Sequence, residues 1–397
     1  MPTLLERINS LCGPGVLAGI TFRDWLKLLA QNHFRVHPKY LPRAMNITTW
    51  SLTNSLVRVY ERFRFAKEIE QIDIPPPLFV LGHWRSGTTF LHDLLSIDNR
   101  FAYPTLYQAT FPHGFLTTER LVGRLMRPLM PPHRPQDNMK LDPAAAWEDE
   151  NVMCAQGFRT PYLGWAFPHR INYYDQFLTF ANASPDDVAQ WKTYFRLFLK
   201  KLAFKHGKPL ILKSPPHTAR IKLLLELFPD AKFVHICRDP YAVFQSSVHS
   251  FKKVMPICRL QPTDIIDWDE RVLSLYRELY DAFFEQRHLI PAANYHELRF
   301  EQLEADPIAQ MRKLYDALSL PPFEQVEPDL RRYLDSVKSY KKNIFRELPP
   351  QLRERIGKEW RRSFEEWGYP LNAPLPQSHG HVQLQHPQLT KRHPTPG

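Results

Sequence analysis

The stretch IPPPLFVLGHWRSGTTFLHDLLS, residues 74–96, decides the fold. Its apolar run, Leu78 to Leu81, is bounded by proline and has the make-up of a strand buried on both faces. FLHDLLS reads as a helix, and Gly82-His-Trp-Arg-Ser-Gly-Thr-Thr89 lies between the two. The Gly-x4-Gly frame lets backbone N–H groups converge on one concavity, and the helix N-terminus adds positive potential there. A nucleotide-triphosphatase loop carries Lys and then Ser or Thr after the second glycine. Here Thr88 and Thr89 follow it, and the fixed charge is Arg85 inside the loop. The pattern predicts a seat for a tetrahedral anion and argues against hydrolysis of ATP or GTP.

Working outward, Pro209-Leu-Ile-Leu212 and KFVHIC, residues 232–237, read as two further buried strands. SPPHTARIKLLLELF reads as one helix, with Ser214 as N-cap and Pro215 at its first position, and YAVFQSSVHSF as another. Short apolar strands alternating with helices predict an α/β fold: a P-loop-like parallel sheet flanked by helices, with ligands at the strands' carboxyl ends. Arg238 ends the third of these strands, and Ser246 lies two turns into the next helix, on the order of 10 Å away. Both could grasp one anion.

Together these residues resemble the sulfotransferases that use 3′-phosphoadenosine 5′-phosphosulfate (PAPS). The likeness is to the bacterial-type branch, whose loop is similar to that of tyrosylprotein sulfotransferases, and it spans roughly residues 75 to 370. The resemblance implies that Arg85, Ser86, Gly87, Thr88 and Thr89 bind the 5′-phosphosulfate and that Arg238 and Ser246 bind the 3′-phosphate. It further places Phe300, in Phe-Glu-Gln-Leu…Asp-Pro, near the adenine. Lys213-Ser-Pro-x-His217, Asp137-Asn138, Glu148-Asp-Glu150 and the segment from Tyr340 to Pro370 match other parts of the branch. Sulfuryl transfer needs positioning and charge stabilisation. Arg85 and Lys213 suit that work, and no metal is expected. Tyrosylprotein-type enzymes place a Glu shortly after the first helix, whereas residues 101–107 here hold no acid. Glu148 or Glu150 is therefore the expected base; two apart, they face different directions and one should point into the site. His217 and His92 are fallbacks. The aromatic segment from Phe101 to Phe180 could wall the acceptor pocket or be plain core.

Composition narrows the rest. The chain has 397 residues with 52 Lys+Arg against 41 Asp+Glu, a net charge of +11, with 43% hydrophobic and 23% charged residues, an ordinary globular make-up. Four scattered cysteines without a Cys-x-x-Cys pair suggest reduced thiols, and with no signal-peptide pattern the expected setting is the cytoplasm. Peripheral membrane contact remains open; a membrane span is not expected. Three zones are expected: an N-terminal helical segment to about residue 72, the main α/β domain over 73–372, and a disordered tail over 373–397. In the first zone Trp50, Leu52, Leu56, Val57, Tyr60 and Phe63 recur at helical spacing and are expected to pack on the main domain, with an oligomer or membrane-surface contact as the alternative. The acceptor is a small molecule, glycan or lipid carrying a hydroxyl or amine. Two competing readings are a nucleotide kinase or NTPase with a variant loop, and a non-catalytic polyanion binder suggested by the charge. In the second, nucleic acid is not expected, because basic and acidic residues are mostly interspersed.

Overall fold

The computed structural model describes residues 12–131, 133–134, 136, 141–337, 343 and 345–371. At its centre is a four-stranded, all-parallel sheet in the order β2-β1-β3-β4. The strands are β1 (Leu78–Leu81), β2 (Ile211–Lys213), β3 (Lys232–Cys237) and β4 (Tyr295–Arg299). The α/β class, the parallel sheet and the flanking helices are as expected. β4 was not foreseen: YHELR is an edge strand with mostly half-buried residues, so it lacks the continuous apolar run that marks the inner strands.

The helices that position the site are α1 (Phe22–Gln31), α2 (Leu41–Glu70), α3 (Thr88–Leu95), α4 (Phe115–Met126), α5 (Pro185–His206), α6 (Ile221–Leu227), α7 (Pro240–Cys258), α8 (Trp268–Gln286) and α9 (Phe300–Ala305). One buried cluster lies over the sheet face that carries Phe79, Leu81, Leu212 and Phe233, and a second over the face that carries Leu78, Val80, Val234 and Ile236. Alternate residues of each strand go to opposite clusters, as pleating requires.

Two expectations are corrected here. SPPHTARIKLLLELF is not one helix: Pro215–Ala219 forms a 3-10 turn, and α6 starts only at Ile221. Ser214 does not cap it with its side chain; its Oγ accepts the Glu150 N–H at 2.9 Å. The second correction concerns the apolar stripe of α2. Of its six residues only Val57 is turned inward, against Gly114. Leu56 is 74% exposed and Phe63 91%. The inner face of α2 is polar instead. Asn54 donates to the carbonyls of Ala18 and Ile20, Ser55 accepts from the Phe22 N–H, Thr48 accepts from the Trp25 indole, and Glu61 binds Lys201 and the Thr117 N–H. These side chains satisfy backbone and buried polar groups that apolar residues would leave unpaired. The Pro/His/Gln-rich tail over 373–397 lies outside the described residues.

Candidate active site

The loop after β1 is held in a conformation that few residues adopt. Gly87 has φ +103°, and a Cβ there would sit 2.3 Å from the Phe300 ring, so both the backbone angle and the contact require glycine. Arg85 has φ +70°, uncommon for a residue with a side chain. Its carbonyl accepts from Arg238 Nη1 at 3.0 Å, while its own Nε donates to Ser246 Oγ at 2.9 Å. Arg238 and Ser246 are thus joined through Arg85 rather than directly. The loop at β1 and the helix start after β3 become one cationic wall.

Within the loop, Ser86 Oγ donates to the His83 carbonyl at 2.8 Å, and the Gly82 N–H donates to Thr218 Oγ1 at 2.8 Å. Thr88 opens α3, whose first-turn N–H groups have no partner within the helix. Phe300 packs on Gly87, and the Arg238 guanidinium lies over its ring at 4.4 Å. Burial pulls the Arg238 pKa below the usual arginine range, with Glu301 opposing. Glu301 in turn accepts from the Asp239 N–H at 3.1 Å and from the Tyr369 hydroxyl at 2.7 Å. In this way Tyr369, from the closing segment, is tied to the helix start next to Arg238; Tyr340–Lys342 of that segment lie outside the described residues, as does Asp137-Asn138.

Lys213, the last residue of β2, brings a third cation. Its Nζ donates to Glu148 Oε1 at 2.8 Å and lies 3.4 Å from Thr89 Oγ1. The other Glu148 oxygen accepts from the Tyr162 hydroxyl at 2.5 Å, and that hydroxyl accepts from the Trp84 indole at 3.1 Å. Tyr162 is buried, and burial first and Glu148 second raise its pKa well above the usual tyrosine value, so it stays a donor. Tyr162 stacks on Trp165 at 4.2 Å, and Phe251 lies 6.2 Å from Trp84 and 6.4 Å from Trp165. An acid, a lysine and an aromatic wall therefore meet beside the anion loop.

The acidic triplet divides three ways. Glu148 faces Lys213, Asp149 holds His217 Nε2 at 2.5 Å, and Glu150 forms a two-pronged pair with Arg220 at 2.7 and 2.9 Å. Glu150 and Arg220 are both buried, so Glu150 is corrected from a candidate base to a structural ion pair. Removing one partner of such a pair costs about 3–5 kcal/mol. Glu150→Ala is expected to lose stability of that order in denaturant unfolding, while the protein that remains folded keeps its affinity for the desulfonated donor.

The fallback bases are corrected as well. His217 is fully buried in its pair with Asp149. His92 is pushed down to about 3 by burial and then by the charge of Lys213, which makes it too weak a base near neutral pH. Phe158, Phe167, Phe177 and Tyr162 all belong to the core, but the Tyr162 hydroxyl reaches Glu148 and its ring stacks on the half-buried Trp165. Two site residues escaped the sequence reading. Trp84 was visible inside the glycine frame but has no charge to draw notice. Tyr162 was one aromatic among many, and only its bond to Glu148 separates it.

A family model described as "Sulfotransferase family" matches residues 76–325. Among curated proteins, the chain is similar to omega-hydroxy-beta-dihydromenaquinone-9 sulfotransferase Stf3 of Mycobacterium bovis and of Mycobacterium tuberculosis. Each is 38% identical over 359 residues, covering 90% of this chain and 92% of the relative. Among solved structures, sulfotransferase STF9 from Mycobacterium avium aligns with a TM-score of 0.68 at 18% identity, covering 87% of this chain and 91% of that one. Sulfotransferase STF1 from M. tuberculosis H37Rv aligns with a TM-score of 0.58 at 16% identity, covering 85% and 91%. At these identities the two structures bear on the fold alone.

Proposed function

The chain belongs to the sulfotransferase family, and from that premise we propose that it carries the sulfonate of PAPS to a hydroxyl on an apolar, quinone-type lipid, with Glu148 taking the hydroxyl proton. PAPS dependence comes with the family. It displaces the kinase and polyanion-binder readings.

The donor set suits a bisphosphorylated nucleotide: two guanidinium groups, a lysine, two threonine hydroxyls and a helix start around one loop. PAPS supplies a sulfonate already activated by its bond to a phosphate oxygen. Arg85, Ser86, Gly87, Thr88 and Thr89 would hold the phosphosulfate end, and Arg238 with Ser246 the 3′-phosphate, with Phe300 flanking the nucleoside. Lys213 stands where charge on the leaving oxygen needs a cation, since it touches both Thr89 and Glu148. Tyr162 and Lys213 each hold one Glu148 oxygen, so the carboxylate is oriented before an acceptor arrives. The reading includes a cytoplasmic setting, which the four unpaired thiols suit.

The observation that carries the acceptor class is the wall of Trp84, Tyr162, Trp165 and Phe251 next to Glu148. Such a wall accepts rings and chains and offers a sugar few partners. It agrees with the curated relatives, which are named for an ω-hydroxylated dihydromenaquinone. Mass spectrometry of reactions with PAPS should show sulfonation of an ω-hydroxylated isoprenoid quinone in preference to trehalose or a simple phenol. Trp84→Ala should raise KM for the quinone by roughly tenfold, the worth of one aromatic contact. Preference for the sugar, or indifference to Trp84, would overturn the lipid reading.

A further inference from the structure

The outward stripe of α2 is an apolar surface that nothing in the described residues covers. Met45, Leu52, Leu56, Val59 and Phe63 all lie on it, between 50% and 91% exposed, at spacings of three, four and seven residues. Leu121 and Leu125 of α4 add two more exposed apolar residues one turn apart, 67% and 62% exposed. The two helices are joined at the start of α4: Val57 packs on Gly114, and the Thr117 N–H donates to Glu61 Oε1 at 2.9 Å. Soluble monomers rarely leave an apolar stripe of this length bare.

The charges around this face are mostly basic. Residues 12–70 hold nine Lys and Arg against four acids, Asp24, Glu61, Glu68 and Glu70. Asp24 and Glu61 are taken up by Arg58 and Lys201, and Glu68 pairs with Arg64 on the surface. On the exposed side stand Arg62, Arg64 and Lys67 of α2, with Arg120, Arg124 and Arg127 in and just after α4. We propose that this face of α2 and α4 is a docking surface for an anionic phospholipid membrane, lying on the bilayer with its leucines and Phe63 in the headgroup boundary and its arginines on the phosphates. No described helix is long and apolar enough to cross a membrane. The contact is therefore one that lies on the surface.

A second copy of the chain fits less well. The stripe has the spacing of a coiled-coil seam, but the positions flanking it are Thr48, Thr53, Ser55, Tyr60, Arg62 and Lys67. With no acid among them, two copies would set like charges together where such seams use opposite ones.

α4 is also linked to the site. Glu119 of α4 accepts from Thr105 Oγ1 at 3.1 Å, Thr105 pairs with Ala146, and the Trp147 N–H donates to the Pro104 carbonyl at 2.9 Å. Glu148 is the next residue. The surface thus deepens the lipid-acceptor reading, which it would serve by drawing acceptor straight from a bilayer, but it rests on its own residues.

The test is flotation of the full chain with vesicles of phosphatidylcholine alone or mixed with phosphatidylglycerol, on wild type and on the double variant Leu56→Glu/Phe63→Glu. Two controls accompany it: calorimetric binding of 3′-phosphoadenosine 5′-phosphate, to show that the variant is folded, and sulfonation of a short-chain, water-soluble hydroxylated quinone without lipid. Wild type should float with the anionic vesicles, and the variant should partition at least about tenfold less with both controls unchanged. Arg120→Glu/Arg124→Glu should lose the preference for phosphatidylglycerol. Failure of wild type to float, equal flotation of the Glu variant, or a dimer in solution that the Glu variant dissolves would overturn the proposal. Flotation without quinone sulfonation would sink the lipid-acceptor reading and leave the surface standing; sulfonation without flotation would do the reverse.

Discussion

Arg85→Ala is expected to weaken binding of 3′-phosphoadenosine 5′-phosphate by about 3 kcal/mol or more, roughly a hundredfold. Two contacts argue for so large an effect. The guanidinium donates to Ser246, and the backbone of the same residue receives Arg238, so one residue links the two halves of the anion site. Loss of the side chain removes a charge and frees Ser246 from its registered position, while the backbone carbonyl that receives Arg238 remains. Arg85→Lys should fall between wild type and Ala, because an ammonium keeps the charge but cannot reproduce a planar fork. Arg238→Ala should weaken binding comparably. Calorimetric titration of the four proteins checks the set. An Arg85→Ala affinity within about threefold of wild type, a difference of only about 0.7 kcal/mol, would remove Arg85 from the donor site.

Glu148→Gln should lower kcat by roughly a hundredfold to ten-thousandfold, the usual worth of a positioned general base. Affinity for the desulfonated donor should stay nearly unchanged, since Glu148 lies on the acceptor side of Lys213. The amide keeps the shape; its carbonyl oxygen can still accept from Lys213 while its NH2 donates to the Tyr162 oxygen, so the loss would report proton transfer rather than collapse of the site. Tyr162→Phe should give a smaller fall in kcat, because it leaves the carboxylate but frees one of its two oxygens. Steady-state kinetics with saturating PAPS separates these outcomes. A Gln variant that retains most of its kcat would assign the proton to another group, and the two fallback histidines, His217 and His92, are already excluded by burial.

The acidic triplet shows why residue type could be read and residue role could not. Glu148 precedes a 3-10 turn, Asp149–Asn151, and in such a turn successive side chains swing by about 120°. Three neighbouring acids therefore meet three different basic side chains: Lys213 at the site, His217 beneath it and Arg220 in the core. The sequence establishes that an acid is available there. Which one is used depends on the bases that β2 and the 3-10 turn after it carry to that place, more than sixty residues away in the chain.

By itself the sequence determined what short-range geometry controls. The apolar runs of β1, β2 and β3, the glycine-framed loop, Thr88 in place of a lysine and the Arg238 and Ser246 pair are all local patterns, and each forms from residues within a few turns of one another. Tertiary structure decided the rest. It inserted Arg85 between Arg238 and Ser246 and added an edge strand that has no apolar signature. It chose Glu148 over Glu150 and turned the stripe of α2 outward. In that last case an amphipathic helix has two faces, and periodicity cannot say which one the domain will take. The carbonyls of Ala18 and Ile20, the N–H of Phe22 and the ammonium of Lys201 needed partners, and the polar face of α2 supplied them.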